Sequence, residues 1–269
     1  MLRLTCLTLC LAASLLAQAP AGATTQDEVL RASILSGWDT EAGTRMAALH
    51  LELAPGWKTY WRAPGDAGIP PLLDWSGSDN VAAIRLHWPR PVVFDLNGMK
   101  SIGYHDDLVL PVEVTPKDPA QPVTLRLRAD LGICKDICMP AMLQIEAPLA
   151  TAAPGTDAIR AALAARPARA DQAQVTSVAC QIEPIRDGLR ITARIAVPAQ
   201  GGAETVVFEP GHAGVWVSEA ETVRQGGALT AVADMVPPEG RPFSLERDAV
   251  TLTVIGTDRA AEIRGCPAP

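Results

Sequence analysis

Leu49, Leu51 and Leu53 fall at every second position with His50 and Glu52 between them, a period of two that turns one face of an extended chain toward a core and the other toward water. The same alternation recurs at Ile84-Leu86-Trp88, at Leu108-Leu110-Val112-Val114, and at Val123-Leu125-Leu127, where Thr124, Arg126 and Arg128 take the opposite face. Pro and Gly interrupt these runs at short intervals, and no long amphipathic helix intervenes. Short strands in such succession predict a β-sandwich rather than an open barrel.

From residue 150 to 173 the pattern changes to an Ala- and Pro-rich stretch with one helical segment near Asp157 to Ala165. Alternation then returns at Leu189-Ile191-Ala193-Ile195-Val197 and at Val250-Leu252-Val254. The expected organisation is all-β: a leader at 1–23, a first sandwich at 24–150, a linker with a short helix at 151–173, and a second sandwich at 174–269. The chain has no repeat of fixed period.

The leader is read from Arg3, the apolar run Leu4 to Ala17, and Ala21-Gly22-Ala23, which has the small-x-small form of a signal peptidase site. A lipoprotein leader would need a small residue before Cys10, and Leu9 stands there. No later stretch reaches the roughly 18 uninterrupted apolar residues of a membrane helix. These features predict a mature protein that is soluble outside the cytoplasm. Losing the leader removes one arginine and no acid from 23 basic and 30 acidic residues, so the formal charge moves from −7 to −8. That balance disfavours nucleic acid or an anionic membrane as the main partner.

Cys6 and Cys10 leave with the leader, and Cys134, Cys138, Cys180 and Cys266 remain. An even count in an oxidising compartment suggests two pairs. Cys180 and Cys266 bracket the second sandwich, and a bond between them would restrict the unfolded chain by about 4 kcal/mol. We expect a structural disulfide there.

Cys134 and Cys138 lie in the stretch "DLGICKDICMPAM". Four residues of strand span about 13 Å, whereas bonded cysteines need Cα atoms roughly 4.4 to 6.8 Å apart, so the segment must turn. One turn of helix, stopped by Pro140, would bring positions i and i+4 together, with the flanking runs 123–130 and 141–147 as neighbouring strands. A staple across so short a loop gains little. A short loop instead suits a bond that opens and closes by exchange. Lys135 favours a thiolate at Cys134 and Asp136 opposes it. A structural bridge and a copper(I) site completed by Met139, Met142 or a distant His stay open on spacing alone. Zinc lacks the further ligands it would need.

Three runs, "GWKTYWRAPGDAGIPPLLDW" at 56–75, "WPRPVVFDLNGMKSIGYHDDLVLPVEV" at 88–114 and "RADLGICKDICMPAMLQI" at 128–145, resemble the N-terminal periplasmic region of DsbD-type thiol:disulfide interchange proteins. The likeness is greatest to the branch that includes the suppressor of copper sensitivity protein ScsB, and the second sandwich resembles that branch's extra β-domain more weakly. The resemblance implies immunoglobulin-like sandwiches and a component of protein-disulfide reduction whose redox pair is Cys134 and Cys138. It implies a thioredoxin-like protein or membrane thiol reductase as electron donor and periplasmic disulfide proteins as acceptors, and it favours Cys138 for contact with partners. The family shields its pair with aromatic residues and a cap loop, for which Tyr60 and Trp61, or the loop from Phe94 to Tyr104, are the candidates. Core packing is the plainer use for Trp57, Trp61, Trp75 and Trp88, and a solvated turn the plainer use for His105, Asp106 and Asp107. The DsbD pattern has a wider cysteine spacing than the one in this chain. No flavin, haem or nucleotide is required, and the Gly-rich loop or hydrolase motifs that would suggest one of those chemistries do not occur. Copper tolerance and a purely interacting, non-enzymatic protein stand as alternatives.

Overall fold

A strand with one apolar face has to bury that face against another layer, and the strands of this chain do so in two main cores, the first of which also takes in Ile255, with Val207 packed against it, from the second half of the chain. The computed structural model describes residues 24–96, 98–150 and 155–269, so the leader expected at 1–23 lies outside the described residues. The first core is enclosed by β1 (Leu30–Asp39), β2 (Arg45–Leu53), β3 (Lys58–Tyr60), β4 (Leu72–Asp74), β5 (Val81–Leu86), β6 (Val92–Leu96), β7 (Met99–His105), β8 (Asp107–Pro116), β9 (Thr124–Cys134) and β10 (Cys138–Pro148). One sheet has the order β1-β2-β8-β5, and the facing sheet β10-β9-β3-β7-β6 with β4 also paired to β9.

The alternation read from the sequence sets which residues face inward. Leu49, Leu51, Leu110 and Val112 from one sheet and Leu125, Leu127 and Ile133 from the other are each 1% exposed or less. Full burial of one such side chain contributes about 1.5–3 kcal/mol. On the outer face Arg126 pairs with Asp79 and Glu146, and Arg128 with Asp74. Exposed pairs of this kind contribute at most about 1 kcal/mol each, so burial decides the register. Trp88, expected to end a strand, lies beyond β5 and stacks on Tyr104 with ring centroids 6.3 Å apart.

Two places depart from simple alternation. On β2 the outward positions are occupied by Met46 and Ala48, which leaves an apolar strip on that face. Helix α2 (Thr156–Ala164) covers it, seating Ile159 on Met46 and Ala48 beside Leu35, Trp38 and Val109. The helix foreseen in the linker is therefore docked on the first sandwich. At the free edge of β10, the side chain of Gln26, from the short helix α1 (Gln26–Val29), accepts a hydrogen bond from the Met142 N–H (3.0 Å) and donates one to its C=O (3.2 Å). Pro140, two residues earlier on the same edge strand, has no N–H to offer.

The second core is enclosed by β11 (Ala168–Arg169), β12 (Ser177–Ile185), β13 (Gly188–Ala196), β14 (Thr205–Glu209), β15 (Trp216–Val217), β16 (Glu221–Gln225), β17 (Ala228–Val236), β18 (Thr251–Ile255) and β19 (Ala260–Arg264). Its sheets have the orders β11-β19-β18-β14 and β12-β13-β17-β15, with β16 also on β17. β11 begins inside the stretch read as linker, because Ala168 and Arg169 run parallel to Ala261 and Glu262. Cys180 and Cys266 are bonded, fully buried, with Cα atoms 5.4 Å apart. The fold is all-β, and among the described residues no helix is long and apolar enough to cross a membrane.

Candidate functional site

β9 and β10 pair without a break from Thr124↔Pro148 to Cys134↔Cys138, and Lys135, Asp136 and Ile137 close the hairpin. The cysteines are bonded across this last pair, with Cα atoms 4.1 Å apart. The segment does turn, but the helical turn expected from the spacing is not formed. Directly opposite residues of an antiparallel pair share a face at this separation, so strand pairing itself brings the sulfurs together. A backbone hydrogen bond from the Lys135 N–H to the Ile137 C=O (3.0 Å) tightens the bend. Pro140 is part of β10 and ends no helix.

The two sulfurs differ in environment. Leu131 and Ile133 point into the core, so Gly132 and Cys134 point outward and on alternation alone would be exposed. Both are nevertheless buried, Cys134 at 1% exposure, whereas Cys138 is exposed at the sheet edge. Tyr60 on β3 lies over Cys134, and Ile69 in the chain that follows lies over Gly132. The Tyr60 hydroxyl lies 2.9 Å from Cys134 Sγ and 3.6 Å from Cys138 Sγ. β3 pairs with the last residues of β9, at Lys58↔Cys134, and β4 with its middle, from Leu72↔Asp130 to Asp74↔Arg128, so the connection 61–71 leaves the sheet beside Gly132. A Cβ on Gly132 would stand 2.8 Å from Ile69 Cβ and 3.0 Å from Tyr60 Cε2, which shows how closely Ile69 and the tyrosine ring lie on the bare backbone.

Lys58 is the cross-strand partner of Cys134 on β3. Its Nζ donates to Ser101 Oγ (3.0 Å) and stands 4.6 Å from the Phe94 ring centroid and 5.9 Å from that of Tyr60. Burial lowers the Lys58 pKa and raises that of Tyr60, so the phenol stays protonated near neutral pH.

Of the residues singled out from sequence, Tyr60 is brought to the pair. Trp61 turns the other way and is fully buried in the core, with the Arg62 guanidinium over its ring at 4.4 Å. Phe94 meets Lys58, and its ring also meets His105 edge-on. In the stretch from Phe94 to Tyr104, β6 and β7 pair antiparallel, from Phe94↔Ser101 to Leu96↔Met99. Tyr104 is buried and donates to the Pro89 C=O (2.8 Å). Lys135 extends toward the Pro55 C=O (3.4 Å), Asp136 is exposed, and Met139 packs against the core. His105, Asp106 and Asp107 form an exposed turn in which Asp106 has φ 63°. Lys58, Ile69 and Gly132 were not singled out from the sequence. The signal for Gly132 was present, since a glycine inside a strand marks a close approach to its backbone.

No curated protein matches the chain. The crystal structure of the N-terminal periplasmic domain of ScsB from Proteus mirabilis has a similar fold, with TM-score 0.70 and 21% identity over 91% of this chain and 96% of that one. The family model described as "Thiol:disulfide interchange protein DsbD, N-terminal" matches residues 23–150. A cross-strand cysteine pair at a covered sheet edge lies inside that match, and residues 23–150 belong to the DsbD N-terminal domain family.

Proposed function

We propose that this chain is a periplasmic thiol-disulfide exchange protein that passes electrons through Cys134 and Cys138. The leader read at 1–23 and the periplasmic origin of the similar ScsB domain support the compartment. The observation that carries the mechanism is the unequal exposure of one disulfide: Cys138 is open to a partner, and Cys134 lies beneath Tyr60.

Starting from the dithiol, the Cys138 thiolate attacks one sulfur of a partner disulfide. That S–S bond breaks, its other sulfur leaves as a thiolate that takes up a proton, and a mixed disulfide forms. The Cys134 thiolate then attacks Cys138 Sγ, expels the partner's second sulfur and closes the Cys134–Cys138 bond. Two electrons and two protons have moved to the partner. A thioredoxin-like or membrane thiol reductase restores the dithiol by the reverse sequence. Tyr60 acts on both steps by donating a hydrogen bond to the buried sulfur, and Lys58 adds positive charge on the same face.

Single-cysteine variants test this reading. Cys134→Ala, which keeps the exposed sulfur, is expected to accumulate a mixed disulfide with a thioredoxin-like protein, and Cys138→Ala is expected to trap far less. Failure of both variants to trap any partner, with both folded, would overturn the proposal.

A further inference from the structure

The connection 61–71 is held from two sides. Toward the disulfide, Ile69 and the Tyr60 ring both lie on Gly132, two register steps from the bonded pair. Toward the second sandwich, Arg62 spans two strands. Its Nε and one terminal nitrogen donate to the two carboxylate oxygens of Glu209 on β14 (2.8 and 2.9 Å), and that nitrogen also donates to Glu262 on β19 (2.8 Å). All three side chains are about three-quarters buried. Asp66 accepts a hydrogen bond from the Glu219 N–H (3.3 Å), and the Glu219 carboxylate pairs with Lys100. Pro64 accepts from the Ile102 N–H (2.8 Å), which ties the segment back to β7. A cleft of about 590 Å³, bordered by Pro64, Gly68, Pro70, Phe208 and Trp216, separates the rest of the segment from the second sandwich.

We infer that the second sandwich is a clamp that sets how firmly the 61–71 segment covers the Cys134–Cys138 pair, with Arg62 and Asp66 as positioning residues. The argument is one of geometry and charge. Between Arg62 and Ile69 the chain contains Pro64, Gly65 at φ 76° and Gly68, and no residue of that stretch belongs to a strand. Its path is therefore fixed by its anchors. The strongest anchor is a bidentate charge-assisted contact to residues far along the chain. Releasing it lets the segment move into the adjoining cleft, and the movement takes Ile69 off Gly132 and frees the Tyr60 ring that lies over Cys134. The clamp thus gives the second sandwich a part in the exchange without a reacting group of its own. The inference rests on the exchange function proposed above, whose reactivity it would tune.

The test uses the full oxidised chain and dithiothreitol, a thiol too small to need a docking surface. The rate of Cys134–Cys138 reduction is followed by alkylation and mass, and amide hydrogen exchange across 62–71 is measured in parallel. Glu209→Gln with Glu262→Gln keeps the shape and removes the charge. It is expected to speed reduction by about tenfold, the effect of one charge-assisted hydrogen bond, and to speed exchange in 62–71. Ile69→Ala should speed reduction alone, and adding the Gln pair to Ile69→Ala should change the rate less than twofold. Asp66→Asn, a milder change, serves if the Gln pair lowers the folded fraction. Faster amide exchange with an unchanged thiol rate, or full multiplication of the two effects, overturns the inference. A chain that reacts in this way with dithiothreitol but with no thioredoxin-like protein overturns the proposed function and leaves the clamp standing.

Discussion

The Tyr60 hydroxyl lies 2.9 Å from Cys134 Sγ, and because a disulfide sulfur carries no proton, the tyrosine is the donor in that contact. Burial raises the phenol's pKa and keeps the donor protonated. After reduction the same hydroxyl faces a sulfur that can ionise, and its hydrogen bond favours the thiolate. Tyr60→Phe is expected to raise the Cys134 thiol pKa by about one unit, or ~1.4 kcal/mol. Ultraviolet absorbance of the thiolate against pH, in the Cys138→Ala background, measures it, and an unchanged profile would remove Tyr60 from thiolate stabilisation.

Gly132 is bare because Ile69 and Tyr60 occupy the space above it. In Gly132→Ala the new methyl would stand 2.8 Å from Ile69 Cβ and 2.9 Å from its Cδ1. The segment must lift or the strand must shift, at a cost of about 1–3 kcal/mol. Urea unfolding should show that loss, and a variant as stable as the parent would mean that the covering segment yields freely.

Much of the sheet structure was legible because burial alternates with period two along β2, β8 and β9, and the hairpin flanks 123–130 and 141–147 followed from the same signal. The form of the turn was not. Spacing i, i+4 fits a helical turn and a three-residue hairpin closure equally, and the choice depends on how far β9 and β10 continue to pair, which is a tertiary outcome. The covering segment was also illegible: "RAPGDAGIPP" has no periodicity, and its path depends on Glu209 and Glu262, well over a hundred residues further along the chain. Tyr60 and Trp61 could not be told apart from sequence for a related reason: Tyr60 ends β3 facing the sulfurs, and Trp61, just beyond the strand, turns into the core.

The Cys180–Cys266 bond closes a loop across a sequence separation of 86, and both residues are fully buried. Replacing both by Ala is expected to lower stability by about 4–5 kcal/mol. Reduction of Cys134–Cys138 by dithiothreitol in the folded variant should proceed at the parent rate. Denaturant melts and the thiol assay together check this, and a large change in the exchange rate would mean that the bond acts on more than the second core.

Glu113 gives the fold an acid-side dependence. Burial alone would raise its pKa, but hydrogen bonds from His87 Nε2 (2.9 Å) and Thr44 Oγ1 (3.0 Å), with the charges of His87 and Arg85, outweigh burial and hold it below 4.5. A carboxyl whose folded pKa is depressed stabilises the fold above its unfolded pKa, and the contribution is lost as pH falls through the folded value. Glu113→Gln should therefore flatten the decline of stability between about pH 5 and pH 3 relative to the parent. Unfolding free energies across that range are the measurement, and parallel curves would exclude Glu113 as a contributor.

The outer margin of β10 also constrains how any other polypeptide can approach. Gln26 saturates both polar backbone groups of Met142, and Pro140 withholds a donor beside the reactive sulfur. A foreign strand laid along this margin would find the ladder interrupted at Met142 and Pro140, which disfavours strand addition beside the disulfide. Recognition beside the disulfide would then rest on side chains, which permits brief encounters and easy release, as the proposed exchange function requires.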